Sequence, residues 1–223
     1  MSVINVAIDG PAGAGKSTIA RAAAKALGYL YADTGALYRA VAYYAVSNGI
    51  DISDKAAVTG CLGKITAELR YENGEQCVYL NGKNVSPYIR TPEISMGASA
   101  VSAIPAVRAF LLDLQKDIAA SNSVIMDGRD IGTVVLPDAD VKIYLTASAE
   151  VRAKRRFDEL SAKGAAPDYE KVLADIVQRD HDDMNRETAP LRQAPDAVYL
   201  DTSELCADEV VERLISIIKE KIG

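Results

Sequence analysis

The chain has 223 residues, of which 49% are hydrophobic and 25% charged, and its formal net charge is −6. That is the composition of a soluble globular protein, one domain or one domain with insertions, and its acidity argues against wrapping nucleic acid, which favours a basic stripe. Three widely spaced cysteines (Cys61, Cys77, Cys206) and a single histidine exclude a disulfide framework and a structural zinc site.

The N-terminus has no basic region ahead of a long apolar run, and no stretch is long enough to span a bilayer. A cytoplasmic protein with no membrane or nucleic-acid partner is expected. Val3–Ile8 ("VINVAI") reads as the first buried strand. "KSTIARAAAKALG" then reads as a helix that opens at Lys16 and closes at Gly28, a helix-end glycine. A second strand at Tyr29–Ala32 and a helix in "GALYRAVAYYAVSNG" follow. "ITAELRYENGEQCVYLNGKNVS" (65–86) breaks the alternation. Its Asn73-Gly74 and Asn81-Gly82 pairs sit between β-prone runs and predict hairpins of a small antiparallel insert.

Pro105 stands at a first-turn position of the next helix, ahead of strands at Ser123–Met126 and Val141–Leu145. Ser148 caps a helix that ends near Gly164, and another spans "PDYEKVLADIVQRDHDDMNR". Between Val151 and Arg192 lie nine Lys/Arg and nine Asp/Glu, a balanced, highly charged stretch that suits either an inert helix pair or a mobile lid. A strand at Ala197–Leu200 and an amphipathic helix from Ala207 close the chain. Apolar strands alternating with helices mean an α/β architecture whose parallel sheet is covered on both faces.

Chemistry enters at "GPAGAGKST", Gly10 to Thr18, which fits G-x-x-x-x-G-K-[ST] between a strand and a helix. Glycines allow the backbone to approach an anion closely, and the following helix presents its positive end to it. In this pattern the N–H groups of Gly13–Thr18 hold phosphates, Lys16 reaches the β and γ phosphates, and the Ser17 hydroxyl binds Mg²⁺. Asp127, the acid after "SVIM", is placed to order the hydration shell of that ion. The chain lacks the N-K-x-D motif of a guanine-nucleotide switch. It carries instead a set of arginines outside the loop: Arg39, Arg108, Arg129, Arg152, Arg155, Arg156, Arg179, Arg186 and Arg192. Arg39 and Arg129 follow strand ends, at the carboxyl edge where α/β sheets bind ligands. A lid that excludes water favours a kinase over a hydrolase. A kinase for a small metabolite and a binding module without turnover are the alternatives.

"IDGPAGAGKST", "DTGALYR", "MDGRDIGTVVLPDADVKIYLTA" and "RDHDDMNRETAPL" occur in order, and with the 65–86 insert they make the chain resemble bacterial cytidylate kinases, nucleoside monophosphate kinases, essentially from end to end. The resemblance implies a P-loop fold with a central five-stranded parallel sheet, helices on both faces, a small antiparallel β insert and a helical lid. It divides the chain into a core of residues 1–36, 105–150 and 190–223, an acceptor-binding insert of 37–104 and a lid of 151–189. It implies ATP as phosphoryl donor, Mg²⁺, CMP or dCMP as acceptor, and a monomer. ATP would be held by the loop residues Gly10, Pro11, Ala12, Gly13, Ala14, Gly15, Lys16, Ser17 and Thr18. One of the lid arginines Arg152, Arg155 and Arg156 would close on it, with Arg155 and Arg156 the residues taken. Thr34 and Tyr38 would stand near the acceptor, while Arg39 and Arg129 would grip its phosphate. Ser99 and Arg108 would read the cytosine edge. Asp130 and Asp183 would bind the sugar or orient those arginines, and Arg179 and Arg186 would support the acceptor and the transferring group.

Overall fold

The computed structural model describes residues 3–72 and 74–223. In chain order its elements are β1 (Asn5–Asp9), α1 (Lys16–Leu27), β2 (Leu30–Asp33), α2 (Thr34–Ser47), α3 (Lys55–Cys61), β3 (Ala67–Glu72), β4 (Glu75–Leu80), β5 (Lys83–Asn84), α4 (Pro92–Ser102), α5 (Pro105–Ser121), β6 (Val124–Gly128), β7 (Val141–Thr146), α6 (Ala149–Ala162), α7 (Tyr169–Asn185), β8 (Val198–Asp201) and α8 (Ala207–Ile222). By their contacts they form two units, one of the chain up to Tyr31 and from Asn122 onward, the other of Ala32–Ser121.

The first unit is built on a five-stranded sheet in the order β2-β6-β1-β7-β8. β1 lies at its centre and runs parallel to both neighbours, with Val6 opposite Ile125 on one side and Val141 on the other. β8 continues the parallel order beyond β7. A strand with sheet on both sides and helices above and below has no solvent face, which is why β6 and most of β1 read as apolar runs. Val6, Ile8, Ile125, Ile143 and Leu145 pack against Ile19, Ala20, Ala23 and Ala24 of α1 and against Leu214 and Ile218 of α8. The alanine face of α1 lets that helix lie close to the sheet. Gly28, in the left-handed conformation at φ 70°, ends the helix by donating its N–H to the carbonyls of Ala24 and Lys25.

The strands run one or more residues further than the sequence predicts, through the acid at their carboxyl ends: β1 ends on Asp9, β2 on Asp33, β8 on Asp201, and β6 passes Asp127 to Gly128. The predicted first strand also starts later, at Asn5 rather than Val3, because Val3 is exposed and pairing with β6 begins at Asn5 opposite Val124. The ladder carries four carboxylates to one edge of the sheet.

The second unit has its own core, with Leu37, Val41, Val58, Val78, Leu80, Ile89, Val101 and Leu111 among its buried residues. β3, β4 and β5 form the predicted antiparallel sheet, order β3-β4-β5. Asn81 and Gly82 both have positive φ, 49° and 77°, as a tight two-residue hairpin requires. The other predicted turn includes Asn73, which lies outside the described residues; its partner Gly74 has φ 80°. Two helices of this unit were not expected from the sequence, α3 and α4. Asp54 caps α3 by accepting from the N–H groups of Ala56 and Ala57, and Thr91 caps α4 ahead of Pro92. Among the described residues no single helix is long and apolar enough to cross a membrane.

Candidate active site

Gly10 opens the loop after β1 at φ 153°, and a Cβ built on it would come within 1.9 Å of the Leu145 carbonyl oxygen. No other residue type fits there. Gly15, at φ 88°, is the N-cap of α1 and offers no side chain to the first turn, which contains no acid either. The N–H groups of that turn are therefore left for an outside acceptor. Lys16 is buried, and its Nζ donates to the Pro11 carbonyl at 2.7 Å, so the ammonium lies folded back over the loop. Burial and then the nearby Arg129 push its pKa down to about 7, against the pull of Asp127, Asp183 and Asp9.

Asp127 is buried at the end of β6 and accepts from the Ser17 hydroxyl at 2.9 Å through one oxygen and from the Tyr31 hydroxyl at 3.0 Å through the other. Tyr31 was not singled out in the sequence; it fixes the plane of the carboxylate. Among the described residues there is no group of three or more His, Cys, Asp or Glu able to hold a metal. A hydroxyl and one carboxylate oxygen side by side nevertheless fit Mg²⁺, which keeps several waters and takes its remaining ligands from substrate phosphates.

Asp9 has a different task. Its two oxygens accept from the N–H groups of Ile131 and Gly132 at 2.7 and 2.8 Å, pinning the turn that follows Arg129 and Asp130. Burial raises its pKa to about 6, although both backbone donors oppose the rise. A carboxyl that keeps its proton longer in the folded than in the unfolded chain stabilises the fold below the unfolded value and loses that contribution as pH rises through the folded one. Between pH 3.8 and about 6 stability should therefore carry a falling term from Asp9. Asp9→Asn should remove it, visible as a more positive slope of unfolding free energy against pH in urea titrations across that window.

Several arginines of the first unit, Arg129, Arg152 and Arg156 among them, are paired with carboxylates. Arg129 Nε donates to Asp183 at 2.8 Å. Burial works against the Arg129 charge, but Asp183 outweighs it and holds the guanidinium above its ordinary value. Burial likewise pushes Asp183 up, and Arg129, aided by Arg179 and Arg186, holds it below the usual carboxylate range. An Arg186 nitrogen lies 3.7 Å from Asp130, and Arg186 Nε donates to the Ala189 carbonyl at 2.7 Å. Arg152, Arg155 and Arg156 part company. Arg152 is buried and donates to Asp180, Ala147 and Ala12. Arg155 donates to the hydroxyl and carbonyl of Thr202, and Arg156 forms a half-exposed pair with Glu159 on its own helix. His181 is an exposed helix residue.

In the second unit Asp33 is the organising acid. It caps α2 by accepting from Ala36 N–H, and its other oxygen meets Arg39 at 2.6 Å and the more exposed Arg90 at 3.4 Å. Gln76 of β4 accepts from the Asp33 N–H and donates to its carbonyl, which ties the hairpin to the start of α2. Thr34 and Tyr38 are buried on α2, one turn apart. The Arg108 guanidinium lies 5.5 Å from the Tyr38 ring centre and donates to the Ser102 carbonyl at 3.3 Å. Ser102 in turn donates its hydroxyl to the Ser99 carbonyl at 2.8 Å. Arg108, Tyr38 and the Ser99 turn thus form one patch of donors against an aromatic face. The sequence missed Asp33, Gln76 and Arg90, although "DTG" after a strand signals a capping acid.

A family model described as cytidylate kinase matches residues 6–220. The chain belongs to the cytidylate kinase family. A cytidylate kinase of Lactobacillus gasseri is 51% identical over 219 residues, covering 98% of this chain and 95% of that protein. One from Geobacillus kaustophilus is 48% identical over 220 residues, covering 99% and 98%. Of solved structures, a gluconokinase from Sinorhizobium meliloti 1021 superposes with a TM-score of 0.50 at 14% identity, covering 97% of this chain and 92% of its own. At that identity the likeness supports the fold alone. Membership makes the chain a phosphotransferase with ATP as donor, and the binding-module alternative falls.

Proposed function

We propose that the chain transfers the γ-phosphoryl group of ATP to the phosphate of CMP or dCMP, giving ADP and CDP or dCDP. The observation that carries this reading is the arrangement of Lys16, Ser17 and Asp127 at the uncapped start of α1, in a chain that the family model matches over residues 6–220. The backbone from Gly13 to Thr18 and the Lys16 ammonium bind the ATP phosphates. Ser17 and, through water, Asp127 would hold Mg²⁺. When bound, that ion neutralises charge on the β- and γ-phosphate oxygens.

The acceptor is bound by its own set. Arg39 and Arg129 take its phosphate, beside Thr34 and Tyr38. Arg108 donates to the O2/N3 side of cytosine and a Ser99 oxygen accepts from its amino group. Arg179 and Arg186 neutralise the transferring phosphoryl group, and Asp130 and Asp183 orient arginines, as the Asp183–Arg129 pair and the Arg186–Asp130 approach support. No general base is needed, because the attacking phosphate oxygen is already anionic. Catalysis then consists of alignment and charge neutralisation around a spread-out, anionic transition state. The α6–α7 segment serves as the lid, with Arg155 or Arg156 turning to ATP on closure, and the enzyme acts as a monomer in the cytoplasm.

A coupled assay of ADP release with CMP, dCMP, UMP, AMP, gluconate and shikimate tests the reading. Fast release with CMP and dCMP alone is expected, and release with gluconate or shikimate in their place contradicts it.

A further inference from the structure

We propose that the buried Arg152 and its partner Asp180 form a clamp that holds the phosphate-loop backbone at Ala12–Gly13 in register with α7, and so act as positioning residues for ATP. The inference rests on the reading of that loop as the ATP site.

Arg152 stands in the first turn of α6, in the charged stretch that the sequence assigns to a lid, yet its side chain is only 5% exposed. Its guanidinium makes two bonds to Asp180 of α7, 3.0 and 2.6 Å, one from Nε to the Ala147 carbonyl at 2.8 Å, and one to the Ala12 carbonyl at 3.1 Å. Ala12 is inside the loop. The next residue touches the same side chain: a Cβ built on Gly13 would come within 3.3 Å of Arg152 Cβ. The loop therefore rests on Arg152 at two successive residues, by a charge-assisted hydrogen bond and by van der Waals contact. Planar, two-pronged geometry toward Asp180 fixes the guanidinium so that the second N–H of Nη1 can aim at Ala12.

Asp180 links this contact to the acceptor machinery. It precedes Asp183 by one helical turn on α7, and Asp183 holds Arg129. A continuous chain of bonds runs from Ala12 through Arg152, Asp180 and α7 to Asp183 and Arg129. If Asp180 is removed, α7 keeps its own anchors, the Asp183–Arg129 pair and the Leu191 N–H donated to the Asp183 carbonyl. The part left loose is the loop. Loosening it lowers the pre-organisation of the N–H groups that receive phosphate, so the loss falls on ATP and spares CMP. In this geometry Arg152 is committed to the loop backbone at Ala12, unlike Arg156, whose partner is a half-exposed glutamate.

The test uses the full chain and titration calorimetry with a non-hydrolysable ATP analogue and, separately, with CMP. Arg152→Lys keeps the charge and loses the fork; Asp180→Asn keeps one acceptor oxygen. Each should weaken the analogue about tenfold, the scale of one lost charge-assisted bond, and leave CMP within about twofold. The double variant should be no worse than the weaker single, because both act through one contact. Should Arg152→Lys not fold, Asp180→Asn and the charge-free pair Arg152→Gln/Asp180→Asn carry the same comparison. Analogue affinity at the parent value, or an equal loss for analogue and CMP, overturns the proposal. Lys16→Met run alongside separates the two levels. If it weakens the analogue while the clamp variants do not, only the clamp is wrong; if it too has no effect, the loop is not the ATP site.

Discussion

Lys16→Met should lower kcat by about 10²- to 10³-fold, the range for removing one cation or donor aimed at transition-state charge, while the protein melts at or above the parent temperature. The two halves of this result have one cause. Lys16 is buried, with its Nζ hydrogen-bonded to the Pro11 carbonyl, and its surroundings push its pKa down to about 7. Without an anion the ammonium is a burden on the fold; a methionine of similar reach relieves it. On the proposed reading, the same charge meets the γ-phosphate once ATP is in place. Steady-state kinetics and a melting curve on one preparation check both, and a loss of stability in step with activity would mean that Lys16 serves the fold.

Arg129→Ala should cost about 10³-fold or more in kcat/KM for CMP, the lower end of what a transition-state arginine supplies. It should also destabilise the protein, by about 3 kcal/mol where a buried charge loses its partner. Asp183, bonded to Arg129 at 2.8 Å, is buried, and without that guanidinium the main counterweight to its burial is lost, leaving Arg179 and Arg186 to oppose it. In the parent that carboxyl is held low, so its contribution is present above the unfolded pKa and lost as pH falls through the folded one. The variant should lose this contribution and recover stability toward acid relative to its own value at neutral pH. Arg129→Lys should restore most of the stability and little of the rate, because an ammonium can pair with Asp183 but cannot present a planar fork to phosphate. Urea unfolding at several pH values together with initial rates separates the two effects.

The local patterns were legible where they were strong. β1 and β6 are apolar because they lie inside the sheet and are buried, whereas the edge strand β8 exposes Tyr199; the ends of β1, β2, β6 and β8 moved through acids that continue the ladder. α4 was missed because Gly97, Ala98 and Ala100 blur its apolar stripe. The reason for the small residues is packing: a Cβ on Gly97 would come within 3.2 Å of both Ala42 and Ile52. The phosphate loop was visible because one spacing dictates one backbone shape, down to Gly10. The pairs that hold the arginines were not. Arg152 reaches an acid 28 positions away and Arg129 one 54 positions away, and no local pattern marks such partners. A balanced run of charges looks the same whether its arginines are solvated, as Arg156 nearly is, or buried, as Arg152 is.

The central claim is that the second substrate is a nucleotide whose phosphate is gripped by arginines separate from the ATP loop. Saturation with CMP in Arg39→Ala tests it most directly, since Arg39 stands on α2 and its Nε is buried without a hydrogen-bond partner. The account predicts that the KM for CMP rises about 100-fold, as for the loss of a charged pair that is broken on one side, with the KM for ATP within about twofold. An unchanged CMP curve would contradict it.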